Sequence, residues 1–463
     1  MSMIEVTSPF DGKVVGTVKF STFEEVEAAI DLASKTFLDT ANWLPRYKRV
    51  EILENVMKIM SSQVEELTIL CASEGGKPYI DSKVEILRAI NGIKIAIEHL
   101  SVYEGKEIAM GHTSTSANRM AYTFKEPIGV VAAISAFNHP FNLAVHQVIP
   151  ALAVGCPVII RPATQTPMSA IRLVEILEEA GLPKGWAQAV VCDRKGGELL
   201  ATSPKTNFLT FIGSGPVGWY LNSKVSPGTR VALEHGGVAP VIVEADADIH
   251  DMIPALAKGG FYHAGQVCVS VQRIYVQESI FDEVANKLAT VASKLVVGDQ
   301  LDPKTEVGPL INHDEVNRVE EWVNDAIAKG AKILTGGKRI GNSCFEPTVI
   351  LNPSEDAIVS QKEVFGPVVC IYSYKTFDEA LSRANSLEVS FQAAVFTKNI
   401  DTALKAVKRL NATAVMVNDH TAFRVDWMPF GGARVSGLGM GGIPHSMEEM
   451  SNEKMMVIKS PVL

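Results

Sequence analysis

The sequence predicts an α/β protein with two doubly wound parallel-sheet units and a small additional β segment. Short apolar runs, typical of buried strands, alternate with helical segments along both halves of the chain. Strands that alternate with helices form βαβ units, and these units build a parallel sheet. The alternation begins again after Gly237, so we expect a second α/β unit of similar size. A chain of 463 residues is long enough for two or more domains.

The elements of the first unit are predicted from periodicity and from helix breakers. Segment Thr22–Phe37 carries Val26, Ile30 and Ala33 at the three- and four-residue spacing of an amphipathic helix. The helix Thr166–Glu179 is followed by a Gly-Leu-Pro sequence that ends it. The other helices are predicted at Pro45–Ser73, Lys83–Leu100, Pro150–Val154 and Trp219–Lys224, and the strands at Gly129–Ser135, Val158–Ile160 and Asn207–Ile212.

The second unit repeats the alternation. Its short apolar runs predict buried strands, and its longer periodic stretches predict helices. The strands are predicted at Val241–Val243, Gln272–Val276, Lys332–Leu334, Val368–Tyr374, Ala393–Thr397 and Ala414–Val417, and the helices at Ile249–Lys258, Phe281–Val296 and His313–Lys329. Two further segments fit neither unit, and both are predicted to be edge strands in an interface: Gly105–Phe124 and Glu453–Val462.

The composition argues against several classes of function. A net charge of −9 disfavours a nucleic-acid or anionic-membrane surface, which would need basic patches. The N-terminus does not read as a signal peptide, and no apolar run reaches the ~18 residues of a membrane span. The six cysteines lie far apart without a CxxC pair, so we predict no metal site and no disulfide framework. Free thiols favour the cytoplasm, and five of the six are predicted to be packing residues.

Cys268 is the candidate nucleophile. It lies in Gly265-Gln266-Val267-Cys268, where small neighbours leave room for a substrate to approach the sulfur. Glu234 lies 34 residues upstream, before a glycine pair, and is the candidate base. A thiol and a carboxylate in one chain suggest covalent catalysis. The alternative is that Cys268 is a small buried apolar residue.

Three further motifs have both a functional and a plain structural interpretation. Gly213-Ser214-Gly215-Pro216-Val217-Gly218 matches GxGxxG between a strand and a helix, and suits a pyrophosphate or a tight turn. Asn138 follows a strand; its amide could donate to an oxyanion, as could the Cys268 N–H, or it could cap a turn. Glu363 could bind ribose hydroxyls or lie in solvent before a turn.

Taken together, the motifs resemble those of the NAD(P)-dependent aldehyde dehydrogenase family over nearly the whole chain. The resemblance rests on their number and order rather than on any single one. They are Pro127–Val131, Phe137–Pro140, Pro150–Gly155, Arg161–Pro167, Phe211–Ser214, Leu233–Gly237, Gly265–Cys268, Glu363–Pro367 and Pro429–Gly432.

The resemblance implies a role for each matching residue. Cys268 is implied to attack the aldehyde, Asn138 to complete the oxyanion hole and Glu234 to activate the water that releases the acid. It also implies that the chain binds NADP or NAD, in a Rossmann-like cofactor domain beside a catalytic domain. The residues predicted to bind the cofactor are Ser135, Phe137, Arg161, Ala163, Thr164, Gly213, Ser214, Gly218, Glu363 and Phe365.

The resemblance also implies a division of the chain. We predict a cofactor-binding domain at 1–104 and 125–236, and a catalytic domain at 237–434. Segments 105–124 and 435–463 are predicted to form an oligomerisation segment, so we expect a homo-oligomer, either a dimer or a tetramer.

Several positions depart from the usual family pattern. Arg161 and Thr164 stand where the family usually has lysine and glutamate. A glutamate would repel a 2′-phosphate, so its absence predicts that NADP is accepted or preferred. Gln147 replaces a frequent lysine, His235 an apolar residue, Ser390-Phe391 a Gly-Leu pair and Met440-Gly441 an Arg-Glu pair.

The substrate is predicted to be a small hydroxy- or singly anionic aldehyde. Phe423-Arg424-Val425-Asp426 resembles a subgroup that acts on lactaldehyde, phosphonoacetaldehyde and related semialdehydes. Arg424 and Arg88, with His139, could bind the tail, although either arginine could instead pair with an acid such as Asp426 or Glu85. Val267 stands where phosphate-binding relatives often have arginine.

Three functions remain open from the sequence. The first is an oxidation that ends in a free acid, and the second is transfer of the acyl group to coenzyme A. The third is a non-catalytic binding protein on the same scaffold. Glu234 favours the first over the second, because a coenzyme A acceptor needs no water-activating base.

Overall fold

The computed structural model describes residues 2–463 and contains two mostly parallel sheets and a smaller antiparallel one. This architecture confirms the predicted α/β fold. The first large sheet has the strand order Gly437–Leu438, Arg230–Glu234, Phe208–Ile212, Val131–Ile134, Val158–Arg161 and Ala187–Ala189. Its pairs are parallel except at the first edge, where Gly437–Leu438 is antiparallel.

Apolar residues of this sheet alternate between two cores. Ala133 and Ile160 pack on one face, while Ala132 and Ile159 pack on the other. Both faces are therefore covered, as a doubly wound sheet requires. The helices of this unit are Phe23–Leu38, Arg46–Ser62, Val64–Gly75, Tyr79–Leu100, Pro140–Val154, Met168–Glu179, Arg194–Thr202, Gly215–Asn222 and Ile443–Glu449.

The second large sheet has seven strands. In order they are Lys332–Thr335, Thr348–Leu351, Val368–Tyr374, Arg273–Gln277, Pro240–Val243, Gln392–Phe396 and Ala414–Val417. Only the pair at the first edge is antiparallel. The helices are Ile249–Phe261, Phe281–Ala292, His313–Ala328, Ile358–Gln361, Phe377–Ala384 and Ile400–Arg409.

The small sheet joins the two segments that were predicted to be edge strands. Ser451–Lys459 pairs antiparallel with Arg119–Pro127, which pairs with Glu107–Ile108. Short two-stranded sheets complete the fold: Ser2–Thr7 with Val14–Phe20, Arg339–Ile340 with Cys344–Phe345, and Val389–Ser390 with Ala433–Arg434. No helix in residues 2–463 is long and apolar enough to cross a bilayer.

Several sequence predictions of helices were wrong in extent: the helix that contains Pro150–Val154 begins at Pro140, and the one predicted at Phe281–Val296 ends at Ala292. The predicted helix Pro45–Ser73 is two helices, because the backbone of Gln63 leaves helical geometry (φ −116°, ψ 19°). The helix predicted at Trp219–Lys224 begins earlier, at Gly215, with Ser214 as its N-cap residue. This places Gly215 and Gly218 within the helix, whereas Gly213 precedes its N-cap residue. The predicted domain boundaries stay a prediction.

Candidate active site

A cleft of about 890 Å³ lies at the carboxyl ends of four strands of the first large sheet. Ligands in open α/β sheets bind at this edge, and the volume suits a cofactor with its substrate. All predicted site residues but one line it: Arg88, Ser135, Phe137, Asn138, His139, Arg161, Ala163, Thr164, Gly213, Ser214, Glu234, Val267, Cys268, Glu363, Phe365 and Arg424.

Gly218 is the predicted site residue that lies off the cleft wall. It belongs to the helix Gly215–Asn222 and is buried against the imidazole of His235. A methyl group at Gly218 would overlap that ring. The glycine therefore allows close packing of the helix on the strand that ends at Glu234.

Cys268 is the only cysteine in residues 2–463 that is not buried. Its Sγ donates a hydrogen bond to Oε1 of Glu234 over 3.8 Å. Burial of the sulfur raises the pKa of the thiol well above its ordinary value, and the nearby charge of Glu234 raises it further. The other five cysteines are buried, which confirms the prediction that they are packing residues.

A strained turn leads into this thiol. His263 and Ala264 have φ values of 49° and 54°, in the left-handed region that side chains other than glycine disfavour. Gly265 follows at φ 70°, and a methyl group there would overlap the carbonyl of Gly366. Strain of this kind persists only where surrounding contacts fix the backbone, and it concentrates at functional sites.

Glu234 ends the strand Arg230–Glu234 and faces the sulfur from the first unit. Burial raises the pKa of its carboxyl group to about 6, against the lowering effect of Arg424. A carboxylate with this pKa is ionised near neutral pH yet is a stronger base than an exposed one. The geometry and the pKa both suit a general base.

Asn138 presents its amide beside the nucleophile. Its Nδ2 donates one hydrogen bond to the carbonyl of Gln266 over 2.9 Å. An amide nitrogen has two N–H groups, so the second is left for another acceptor. The arrangement therefore suits an oxyanion site formed with the backbone N–H of Cys268.

The opposite part of the cleft fits a dinucleotide. Oε1 of Glu363 is buried without a hydrogen-bond partner, and burial raises the pKa of this carboxyl group to about 8. A methyl group on Gly236 would overlap the carboxylate and would displace it from its present position. The unsatisfied oxygen suits a ribose hydroxyl donor. The ring of Phe365 stands edge-on to that of Phe137, with centroids 5.7 Å apart.

The first turn of the helix Gly215–Asn222 also faces the cleft through Ser214, whose side chain makes no capping bond. Arg161 donates to the carbonyl of Cys192 over 3.0 Å, and its Nε has no partner. Arg194 lines the same region, and Thr164 is exposed. Two guanidinium groups without a glutamate at position 164 suit an additional phosphate.

The two arginines of the predicted substrate region differ sharply. Arg88 makes two hydrogen bonds to Asp426, from Nη2 over 2.7 Å and from Nε over 3.2 Å. His146 also bonds Asp426, over 2.8 Å. Arg88 thus forms the ion pair that the sequence left open, and it meets the cleft with its charge largely neutralised.

Arg424 has no carboxylate within ion-pair distance in residues 2–463. Its Nε is buried without a partner, and its guanidinium lies 3.5 Å from the centroid of the Phe430 ring. Within residues 2–463 its one hydrogen-bond contact is from Nη2 to Nδ1 of His146, over 3.4 Å. A guanidinium in this position is available to an anionic or hydroxylated ligand.

Several residues of the cleft were missed by sequence reasoning. The Tyr262 hydroxyl and Nε2 of His139 form a hydrogen bond over 3.1 Å, and both side chains line the substrate region. No pattern around Tyr262 signals this contact. Arg194, by contrast, follows Asp193, which caps the helix Arg194–Thr202. An aspartate before a basic residue is a sequence pattern that could have indicated this helix start. Phe430 was noted only as part of a motif.

Gln147 and Gly441, two residues that differ from the usual family pattern, both line a second, smaller cavity of about 40 Å³. Glu234, Arg424 and Phe430 line both cavities, so they form the wall between them. Nε2 of Gln147 donates to the carbonyls of Ile134 and Thr210. The space is large enough for ordered water.

Comparison with known proteins decides the family. The model of the aldehyde dehydrogenase family matches residues 1–456. The chain belongs to the aldehyde dehydrogenase family. It is thus an NAD(P)-dependent aldehyde dehydrogenase, as the order of its motifs predicted.

The chain is similar along nearly its whole length to enzymes named for small polar aldehydes. A 3-sulfolactaldehyde dehydrogenase of Priestia aryabhattai is 39% identical over 456 residues, covering 98% of this chain and 94% of the relative. A lactaldehyde dehydrogenase of Methanocaldococcus jannaschii is 37% identical, with 98% and 97% covered. The crystal structure of glyceraldehyde-3-phosphate dehydrogenase GapN from M. jannaschii, complexed with NADP, is 37% identical, with a TM-score of 0.94 and 99% of each chain covered.

Proposed function

We propose that this aldehyde dehydrogenase oxidises a small hydroxy- or singly anionic aldehyde to the free carboxylic acid. One observation carries the proposal. The accessible thiol of Cys268 lies 3.8 Å from the carboxylate of Glu234, in a cleft where Arg424 has no carboxylate partner. A nucleophile, a base and an anchor for a polar tail therefore share one site.

The proposed chemistry begins when the thiol of Cys268 loses its proton to solvent and Sγ attacks the aldehyde carbon. The carbonyl electron pair moves to oxygen, where the amide of Asn138 and the Cys268 N–H stabilise the charge. Bound NAD(P) supplies the hydride acceptor for the oxidation that leaves a thioester on the cysteine. Glu234 then takes a proton from water, the water oxygen attacks the acyl carbon, and the carbon–sulfur bond breaks to release the acid.

The cofactor is proposed to be held by chain groups that have no other partner. Glu363 would accept from ribose hydroxyls, Ser214 and the helix N–H groups behind it would face the pyrophosphate, and Arg161 with Arg194 would attract a 2′-phosphate. Nothing at position 164 repels that phosphate, which supports a preference for NADP over NAD.

The substrate class follows from charge. Arg88 is already paired with Asp426, which leaves Arg424 as the available cation. One guanidinium suits a single negative charge, such as a sulfonate or a carboxylate, or a hydroxyl. The relatives named for 3-sulfolactaldehyde and lactaldehyde support aldehydes of this size and polarity. The apolar Val267 disfavours a doubly charged phosphate tail.

The presence of Glu234 beside the sulfur favours hydrolysis over transfer to coenzyme A. A non-catalytic role is disfavoured, because Cys268, Glu234, Asn138 and Glu363 all line one cleft. We further propose a homo-oligomer in the cytoplasm, since the small sheet ends in an apolar edge strand and the site requires a reduced thiol.

A panel of aldehydes assayed with both NADP and NAD tests the proposal. We expect lactaldehyde and 3-sulfolactaldehyde to give higher kcat/KM than propanal, and NADP to give higher kcat/KM than NAD. The product is expected to be the free acid with or without coenzyme A. Turnover that requires coenzyme A would exclude the hydrolytic route, and no reduced cofactor across the panel would exclude the proposed substrates.

A further inference from the structure

Gln266 lies two residues before the nucleophile and is 1% exposed. Its Nε2 donates to the carbonyls of His263 (3.3 Å) and Pro309 (3.2 Å). Its Oε1 accepts the backbone N–H of Ile311 over 2.9 Å. The side chain thus ties the strained turn before Cys268 to a distant loop, although it does not line the cleft.

Gln272 lies four residues after the nucleophile and makes the same three kinds of bond. It is 4% exposed, and its Nε2 donates to the carbonyls of Val359 (2.9 Å) and Lys362 (2.7 Å). Its Oε1 accepts the N–H of Val364 over 2.9 Å. Lys362 and Val364 are the two chain neighbours of Glu363, so Gln272 fixes the backbone on both sides of that carboxylate.

The two glutamines hold different parts of the site. The backbone carbonyl of Gln266 accepts the hydrogen bond from Nδ2 of Asn138, so a shift of the turn would shift the amide. His263 and Ala264 add positive-φ strain that only such bonds keep in place. Gln272, by contrast, bonds to the loop that carries Glu363.

We propose that Gln266 is a positioning residue for the oxyanion site, and that Gln272 is a positioning residue for the ribose-binding carboxylate. The proposal rests on the proposed function of Asn138 and Glu363. Displacement of a reacting group by about 1 Å lowers a rate by roughly 100-fold. Loss of the Gln266 side chain should therefore lower the rate of the chemical step, and loss of the Gln272 side chain should weaken cofactor binding.

The substitutions Gln266→Met and Gln272→Met form a matched pair, since each removes three buried hydrogen bonds with little change in side-chain length. The single-turnover rate is measured at saturating NADP, and the Kd of NADPH is measured by fluorescence titration without aldehyde. Gln266→Met is expected to lower the rate about 10- to 100-fold with Kd changed less than about twofold. Gln272→Met is expected to raise Kd about tenfold with the smaller loss of rate.

A merely structural role would affect both quantities in both variants, and that result, or no change in either variant, overturns the proposal. The unfolding midpoints are compared, and Gln266→Asn serves as a second variant if Gln266→Met does not fold. That variant keeps the amide but shortens its reach, so a single-turnover rate below that of wild type is expected; a rate equal to wild type would contradict the proposal.

A double-mutant cycle with Asn138→Ala separates this proposal from the proposed function. If Gln266 acts through Asn138, Gln266→Met lowers the rate less than about threefold in the Asn138→Ala background. A full additive loss overturns the positioning role. An Asn138→Ala variant with the wild-type rate overturns the oxyanion site itself, whereas a slow Asn138→Ala variant beside a normal Gln266→Met overturns only the positioning role.

Discussion

Individual side chains show how burial prepares the site for chemistry. Glu234 and Glu363 are both buried carboxyl groups, and burial raises both pKa values, yet their surroundings differ. Glu234 has the thiol of Cys268 as a donor and Arg424 nearby, whereas Oε1 of Glu363 has no partner. The environment of Glu234 suits a base that exchanges protons, and that of Glu363 suits a hydrogen-bond acceptor for a hydroxyl group.

The pKa of Glu234 predicts the pH dependence of acid release. Burial raises this pKa from 4.5 to about 6, so the carboxyl group is protonated below that pH and cannot take a proton from water. We expect the release rate to rise with pH through about 6 and to level off above it. The rate is measured on preformed acyl-enzyme by stopped flow. A midpoint near 4.5, or a flat profile, would count against Glu234 as the base.

Arg424 is predicted to select for a charged tail. A hydrogen bond to a charged group is worth about 1.5–3 kcal/mol, which corresponds to roughly a 10- to 100-fold change in rate. We expect Arg424→Met to lower the ratio of kcat/KM for 3-sulfolactaldehyde to that for propanal by this factor. Arg339→Met is the control, because Arg339 pairs with Glu320 and does not line the cleft. Equal ratios in wild type and Arg424→Met would refute the assignment.

Secondary-structure elements were predictable where local chemistry decides them. Val368–Tyr374 and Ala414–Val417 have the predicted bounds, because short apolar runs specify strands both inside a sheet and at its edge. The break at Gln63 was not predictable, since no glycine or proline marks it and tertiary packing turns the chain there. The start of the helix Gly215–Asn222 was also placed late, because Gly215 and Gly218 weaken the helical pattern.

The loop after the strand Val158–Arg161 is predicted to set cofactor preference. Thr164→Glu would place a negative charge where Arg161 and Arg194 attract a 2′-phosphate. We expect the ratio of kcat/KM for NADP to that for NAD to fall at least about tenfold, the effect of roughly 1.4 kcal/mol of repulsion. Thr164→Gln, which adds the length without the charge, controls for size. A ratio that Thr164→Glu does not change would mean that the phosphate lies elsewhere.

The whole molecule brings together residues that sequence reasoning could only list separately. Seventeen candidate residues were named from motifs, and all but Gly218 reach one cleft, because parallel strands present their carboxyl ends at one edge. The partner of Arg88 could not be decided from the sequence, since Asp426 lies 338 residues away and Glu85 was an equal candidate. Only the folded structure shows that Arg88 is paired with a carboxylate and that Arg424 is not.

The strand Ser451–Lys459 is predicted to join a second copy of the chain. It is an edge strand with apolar side chains exposed on both faces, including Met456 at 46% on one and Val457 at 47% on the other. Exposed apolar edges of this length favour association. We expect light scattering to give a dimer or tetramer, and Val457→Asp to shift it toward monomer. Val296→Asp, at the same 47% exposure in the other unit, should leave the mass unchanged. A monomeric wild-type protein would contradict this prediction.

The central claim is that the acyl group passes through Cys268 and leaves with the help of Glu234. The most direct measurement is peptide mass spectrometry of Glu234→Gln after mixing with aldehyde and NADP. The substitution removes the base for release, typically worth about 10²- to 10⁴-fold, so the acyl-enzyme should accumulate. We predict a burst of NADPH near one per active site and an acyl group on Cys268. Unmodified Cys268 after that burst, or an acyl group on another residue, would contradict the mechanism.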